Sequence, residues 1–157
     1  MTSRKTTILP IYKRIGLTRK SYYNYDIVKP EERDFIKRFT RKGEKIKWIE
    51  RNRKVSTYEV GYLPTNDFVW KGKEWELKSK TKGKIKERTI IRRINESVDK
   101  DKRNIFLDLG NRNASKKLIE RLRKYNVSRI KTIDKRRYVK NIVVWDKTGI
   151  FKIELER

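Results

Sequence analysis

The chain of 157 residues contains no cysteine and no histidine. Without cysteine it has neither disulfides nor thiolate-ligated zinc sites. Without histidine it cannot run imidazole-based acid–base ribonuclease chemistry, histidine-ligated metal chemistry or a Ser-His-Asp triad. Any enzymatic chemistry must therefore rest on carboxylates, lysine and tyrosine, with a metal ion the expected addition. Apolar runs are short: none approaches the roughly 18 residues that a membrane span requires. The N-terminus also lacks the apolar core of about 7–15 residues that marks an ordinary signal peptide. The expectation is a soluble chain with no membrane insertion, and the lack of cysteine leaves its compartment open.

What is abundant is positive charge. Forty-five Lys and Arg stand against 20 Asp and Glu, a formal net charge of +25, and 41% of residues are charged. Such an excess in a small chain points to a polyanionic partner, nucleic acid before a membrane surface. A merely basic binding protein carries the same signature, so charge alone does not establish catalysis. At 35% apolar content the core is modest, and the length fits one domain, assigned to residues 30–157. Residues 1–29 read as a basic extension whose Tyr22, Tyr23 and Tyr25, near Arg14, Arg19 and Lys20, either stack on bases or pack on the domain.

The most informative stretch runs from Asp67 to Lys78. Apolar and polar residues alternate on both sides of Lys71-Gly72, the pattern of a β-hairpin. With those two residues as the turn, Trp70 faces Lys73, Val69 faces Glu74, Phe68 faces Trp75 and Asp67 faces Glu76. Phe68 and Trp75 then share one side, while Asp67, Glu76 and Lys78 share the other. Opposed carboxylates with Cβ atoms about 5 Å apart repel unless a cation sits between them. A divalent ion on oxygen ligands would serve, with Lys78 beside it.

Around the hairpin, Pro30 to Lys42 reads as a helix stopped by Gly43, with Phe35, Ile36 and Phe39 as its stripe. Glu32 falls in the middle of that stripe, Asp34 opposite and Glu31 at its edge. An acid on a buried face either complements the helix dipole or has a chemical role. A strand at 45–49, a polar connection at 50–65 and the hairpin follow. A second helix spans 85–99 with Ile91, Ile94 and Val98 inward. Lys80, Lys82, Lys84, Lys86, Arg88, Arg92 and Arg93 make a dense basic run, either a solvated face or a phosphate-positioning surface. Asn104–Leu109 reads as a buried, parallel strand with Asp108 as a strand-end acid. A helix at 114–125, carrying Leu118, Ile119 and Leu122, and a hairpin at 139–146 and 150–155 around Thr148-Gly149 complete the chain. The order predicts an α/β fold, of the α+β type, with a central mixed sheet flanked by helices.

Asp67 followed by Glu76-Leu77-Lys78 on the next strand resembles the D…(E/D)xK signature of the PD-(D/E)XK nuclease superfamily. The phrase NDFVWKGKEWELKS is more narrowly similar to the C-terminal tRNA-cleaving domains of CdiA-type contact-dependent inhibition toxins, over roughly residues 30–155. The resemblance implies a nuclease-like sheet and metal-dependent hydrolysis of RNA, tRNA in particular. Mg²⁺, or another divalent ion such as Mn²⁺, would be held by Asp67 and Glu76, with Glu32 joining from the helix. Lys78 would orient the attacking water or stabilise charge on the phosphorane. The resemblance further implies an acidic immunity protein and action in a bacterial cytoplasm, with delivery from another cell as one route. A DNA endonuclease of the same fold and a non-catalytic nucleic-acid-binding protein are the alternatives.

Overall fold

The computed structural model describes residues 29–49, 66–129 and 138–157. The tyrosine cluster of the extension and the 50–65 connection lie outside these residues. The described elements are α1 (Pro30–Arg41), β1 (Ile46–Trp48), β2 (Phe68–Trp70), β3 (Lys73–Ser79), α2 (Glu87–Val98), β4 (Asn104–Asp108), α3 (Lys116–Arg123), α4 (Tyr125–Arg129), β5 (Asn141–Asp146) and β6 (Gly149–Lys152). They make a mixed α/β fold with a six-stranded mixed sheet, in the order β1-β2-β3-β4-β5-β6, flanked by helices. Its contacts fall into two compact units, Met1–Glu74 and Trp75–Arg157.

In the first unit, α1 begins at Pro30, whose ring presets the helical φ and whose missing N–H would have had no partner there. It ends in a Schellman turn: Glu44 N–H donates to Phe39 O (3.2 Å) and Gly43 N–H to Thr40 O (3.0 Å). Gly43 adopts φ 105°, a conformation open to glycine and costly for other residues. Phe35, Ile36 and Phe39 are buried along one face, with Glu32 among them and Asp34 exposed, as the wheel predicts. Phe35 and Phe39 stack at 4.9 Å. Phe68 lies 5.3 Å from Phe35 and 5.9 Å from Trp48, and Trp70 lies 5.5 Å from Phe39. β1 and β2 pair antiparallel. Lys71 (φ 51°) and Gly72 (φ 76°) form the turn after β2, the two positive dihedrals that a tight hairpin turn of this twist demands.

In the second unit β3, β4 and β5 are parallel and β6 returns antiparallel to β5. β4 reads as a nearly unbroken apolar run because both its faces are covered: Ile105, Phe106 and Leu107 are all buried. Ile105, Leu107, Ile142 and Val144 pack with Ile90, Ile94 and Val98 of α2 and Leu118 and Leu122 of α3. The inward residue of α2 is thus Ile90, with Ile91 only partly buried. The helix starts at Glu87, and Ile90, Ile94 and Val98 recur every four residues along its buried face while Ile91 lies to the side.

Two other expectations need correction. The 114–125 helix is two helices: Ser115 caps α3 by accepting Leu118 N–H (3.0 Å), and α4 follows from Tyr125. The turn of the last hairpin is Lys147-Thr148, with Gly149 already paired to Asp146. Asp146 moves it, because its Oδ1 accepts Thr148 N–H (2.8 Å) and Oγ1–H (2.6 Å) while Oδ2 accepts Ala114 N–H (2.9 Å).

Burial pushes the Asp146 carboxyl up, but donors on Ala114, Thr148 and Gly149 outweigh that and hold it below the usual carboxylate range. A depressed folded-state pKa contributes stability above the unfolded value of about 3.9. That contribution is lost as pH falls through the lower folded value. Asp146→Asn is expected to unfold about 1–3 kcal/mol more easily at pH 7. Urea melts at pH 7 and pH 3 should show the gap between variant and parent narrowing in acid.

Candidate functional site

The candidate residues divide between the units. Glu32 and Asp67 belong to the first, and both are buried, at 6% exposure each. Glu32 already has a local role: its Oε1 accepts Lys29 N–H at 2.9 Å, closing the first turn of α1. The helix-terminal reading therefore describes part of what Glu32 does. Asp67 stands immediately before β2, and its carbonyl accepts Ile49 N–H at 2.8 Å, extending the β1–β2 ladder.

Glu76 and Lys78 belong to the second unit. Along β3, Glu76 pairs with Ile105 and Lys78 with Leu107; these in turn pair with Ile142 and Val144. Side chains opposite one another across a ladder share a face, so Glu76 and Lys78 lie on the side covered by α2 and α3. Trp75 and Leu77 point the other way, and Trp75 meets Phe106 edge-on at 6.3 Å. The alternation of WELK thus sends its apolar residues to one layer and its charged ones to the other.

The environment of Glu76 is cationic. Lys78 Nζ lies 3.5 Å from Oε2, and Lys102 Nζ donates to Oε1 at 3.1 Å. The Lys102 side chain is 6% exposed and that of Glu76 15%. Opposite unit charges about 4 Å apart attract by roughly 4 kcal/mol at an effective dielectric near 20, before desolvation is subtracted. Lys102 is the member of this cluster that reading the sequence missed. It lies 26 residues from Glu76 in the turn after α2, and no local pattern links them.

The basic run then leaves β3. Lys80 is half-buried; Lys82, Lys84, Lys86, Arg88 and Arg92 are exposed. Arg93 is different, for its Nη1 donates to Ser79 O at 2.8 Å and ties α2 to the end of β3. Arg112 holds the loop itself, donating from Nη1 to Gly83 O and from Nη2 to Lys80 O. Asp108, fully buried, accepts Gly110 N–H at 3.0 Å, the strand-end role expected of it. Asn95, a polar residue of α2, accepts the Tyr125 hydroxyl at 2.6 Å.

Carboxylate oxygens are the right donor type for Mg²⁺ or Mn²⁺. The arrangement is another matter. Among the described residues no group of three or more His, Cys, Asp or Glu side chains is placed to hold a metal ion, and Glu76 has an ammonium on each oxygen. With an ammonium on each oxygen, Glu76 and its neighbours in the second unit do not fit a divalent-ion cage. No helix among the described residues is long and apolar enough to cross a membrane. Comparison with protein families, curated proteins and solved structures found no match.

Glu76→Gln removes the carboxylate from between two ammonium groups. It is expected to cost about 3 kcal/mol, the low end for breaking a buried ion pair. Lys102→Met added to it should restore part of that loss. Urea melts of both single variants and the double variant measure the coupling directly.

Proposed function

We propose that this chain is an endonuclease that cleaves phosphodiester bonds in RNA, with tRNA the favoured substrate, and that it acts as a bacterial toxin domain. The observation that carries this reading is Glu76 and Lys78 side by side on one face of β3, followed at once by a basic loop and helix. In this reading Glu76 orients the attacking nucleophile through its carboxylate. Lys78 meets the charge that develops on the non-bridging phosphate oxygens, a stabilisation that is strongest where water is scarce. Lys82, Lys84, Lys86, Arg88 and Arg92 take the backbone phosphates, which position the strand without reading its bases. Arg93, through its bond to Ser79 O, and Lys80, the residue after Ser79, help shape that surface. Asp67 and Glu32 enter through the resemblance, as does the divalent ion. The same resemblance supports an acidic immunity protein as the natural antagonist of so cationic a chain.

A second reading has its own support. Glu76 compensated by two lysines is also what a structural ion cluster in a non-catalytic nucleic-acid-binding protein would contain.

Incubation with tRNA and with plasmid DNA, in Mg²⁺, Mn²⁺ or EDTA, separates the readings. Cleavage of tRNA is the expected result, and comparison of the Mg²⁺, Mn²⁺ and EDTA arms reports whether a divalent ion takes part. Lys78→Ala leaves the Glu76–Lys102 bond in place and should slow cleavage by about 100-fold or more while tRNA binding persists. Undiminished cleavage by that variant would remove Lys78 from the chemistry, and no cleavage by the parent would favour the binding protein. Combining Lys84→Ala, Arg88→Ala and Arg92→Ala should lower the slope of log affinity against log salt by about 2, at roughly 0.7 per contact to a single strand. An unaltered slope would move the interface to another surface.

A further inference from the structure

The centre at Glu76 is lined for an anion. One carboxylate stands with two ammonium groups, so Glu76, Lys78 and Lys102 together carry one net positive charge. A phosphodiester carries one negative charge, and lysine is a fitting donor to its oxygens. The two lysines hold the carboxylate unequally. Lys102, 5% exposed, donates to Oε1 at 3.1 Å. Its backbone is fixed in the turn after α2, where Lys100 N–H and Lys102 N–H both donate to Ser97 O at 3.0 Å. Lys78 stands 3.5 Å from Oε2, the outer edge of hydrogen-bonding range. Oε1 is thus anchored. Oε2 keeps capacity for another donor, since a carboxylate has roughly four lone-pair directions. The Glu76 and Lys78 side chains are 15% and 16% exposed, so a substrate reaches both, whereas Lys102 stays buried.

We propose that the nucleophile at this centre is the 2′-hydroxyl of the RNA itself, with Glu76 Oε2 as its general base, so that cleavage is a transesterification ending in a 2′,3′-cyclic phosphate. The inference rests on the ribonuclease reading above and departs from the resemblance, in which water attacks. The hydroxyl already lies beside its own phosphorus, and no dication is needed to bring it there. Oε2 takes the 2′-O–H proton as the 2′-oxygen bonds to phosphorus. On the opposite side the P–O5′ bond breaks, and its electron pair leaves with the 5′-oxygen, which takes a proton from water. Glu76 gives its proton to the hydroxide so formed, and none is gained or lost. Lys78 turns from its long contact to a non-bridging oxygen and meets the charge that builds there. Lys102 acts only through Oε1, a positioning residue that keeps the carboxylate aimed. A strand without 2′-hydroxyls offers this centre no nucleophile.

The test digests total tRNA with the full chain, once in EDTA with NaCl and once in Mg²⁺, and reads the fragment ends by mass spectrometry. Both digests should give a 2′,3′-cyclic phosphate and a 5′-hydroxyl. A tRNA with a 2′-O-methyl group at the one nucleotide where the cut maps should resist cleavage there, a result that needs no protein variant. Glu76→Gln should lower kcat by roughly 100-fold or more while tRNA affinity holds. Where that variant does not fold, Glu76→Gln combined with Lys102→Met, which removes the stranded ammonium, takes its place. Lys102→Gln should lower kcat by roughly 10- to 100-fold at unchanged KM, and Lys102→Arg should restore it. Fragments ending in 3′-hydroxyl and 5′-phosphate would overturn the inference while leaving the chain a nuclease. So would cleavage confined to Mg²⁺, a cut at the methylated nucleotide, or parental kcat without the Glu76 carboxylate. Parental kcat in Lys102→Gln would overturn the part assigned to Lys102. Absence of all cleavage would instead remove the ribonuclease reading, and this inference with it.

Discussion

Charge compensation in a half-buried place is the constraint on which this molecule turns. Glu76 is carried by a strand whose apolar residues, Trp75 and Leu77, fill the opposite layer, and it points into the layer under α2. An isolated carboxylate in that position would be expelled or protonated. The two lysines that meet it come from different parts of the chain, Lys78 from the same strand and Lys102 from the turn after α2. Their hold on Glu76 ties β3, α2 and the entry to β4 together, so the chemistry proposed for the site and the integrity of its scaffold depend on the same ions.

The parallel ladder gives this cluster its address. In β3-β4-β5, a residue's face is fixed by its partner two strands away, because side chains alternate with a period of two. Val144 and Leu107 belong to the core, and Lys78 in the same row must therefore point toward the helices. A slip of one residue would place Trp75 and Leu77 under α2 and turn Glu76 and Lys78 to the opposite layer. The apolar run of β4 and the alternation of β3 fix one another.

Much of the fold was legible from residues alone. The α1 stripe of Phe35, Ile36 and Phe39, its stop at Gly43, the Lys71-Gly72 turn and the buried run of β4 all follow from local pattern, and local pattern survived folding there. Errors came where a distant contact decided the outcome. Asp146 draws the last turn one residue earlier because it bonds Ala114 as well as Thr148. Ile90 and Ile91 both lie within a turn of Ile94, and only packing against the sheet selects Ile90. The site was half legible: Glu76 and Lys78 are two apart in the sequence, and alternation placed them together. Lys102 was one lysine among many until the turn after α2 brought it to Glu76. Glu32 was seen as an acid on an apolar face, but its bond to the Lys29 N–H depends on the geometry of a helix end.

Arg112 has a consequence of its own. Its partners are peptide carbonyls, which carry no net charge, whereas in the proposed function the lysines of the loop it grips would face a polyanion. Added electrolyte weakens interactions between full charges far more than a cation's bond to a backbone dipole inside the fold. The 80–84 loop should therefore keep its shape in brine concentrated enough to strip off any bound strand. Under the proposed function, capture and release of a strand would then cycle without the loop having to refold each time.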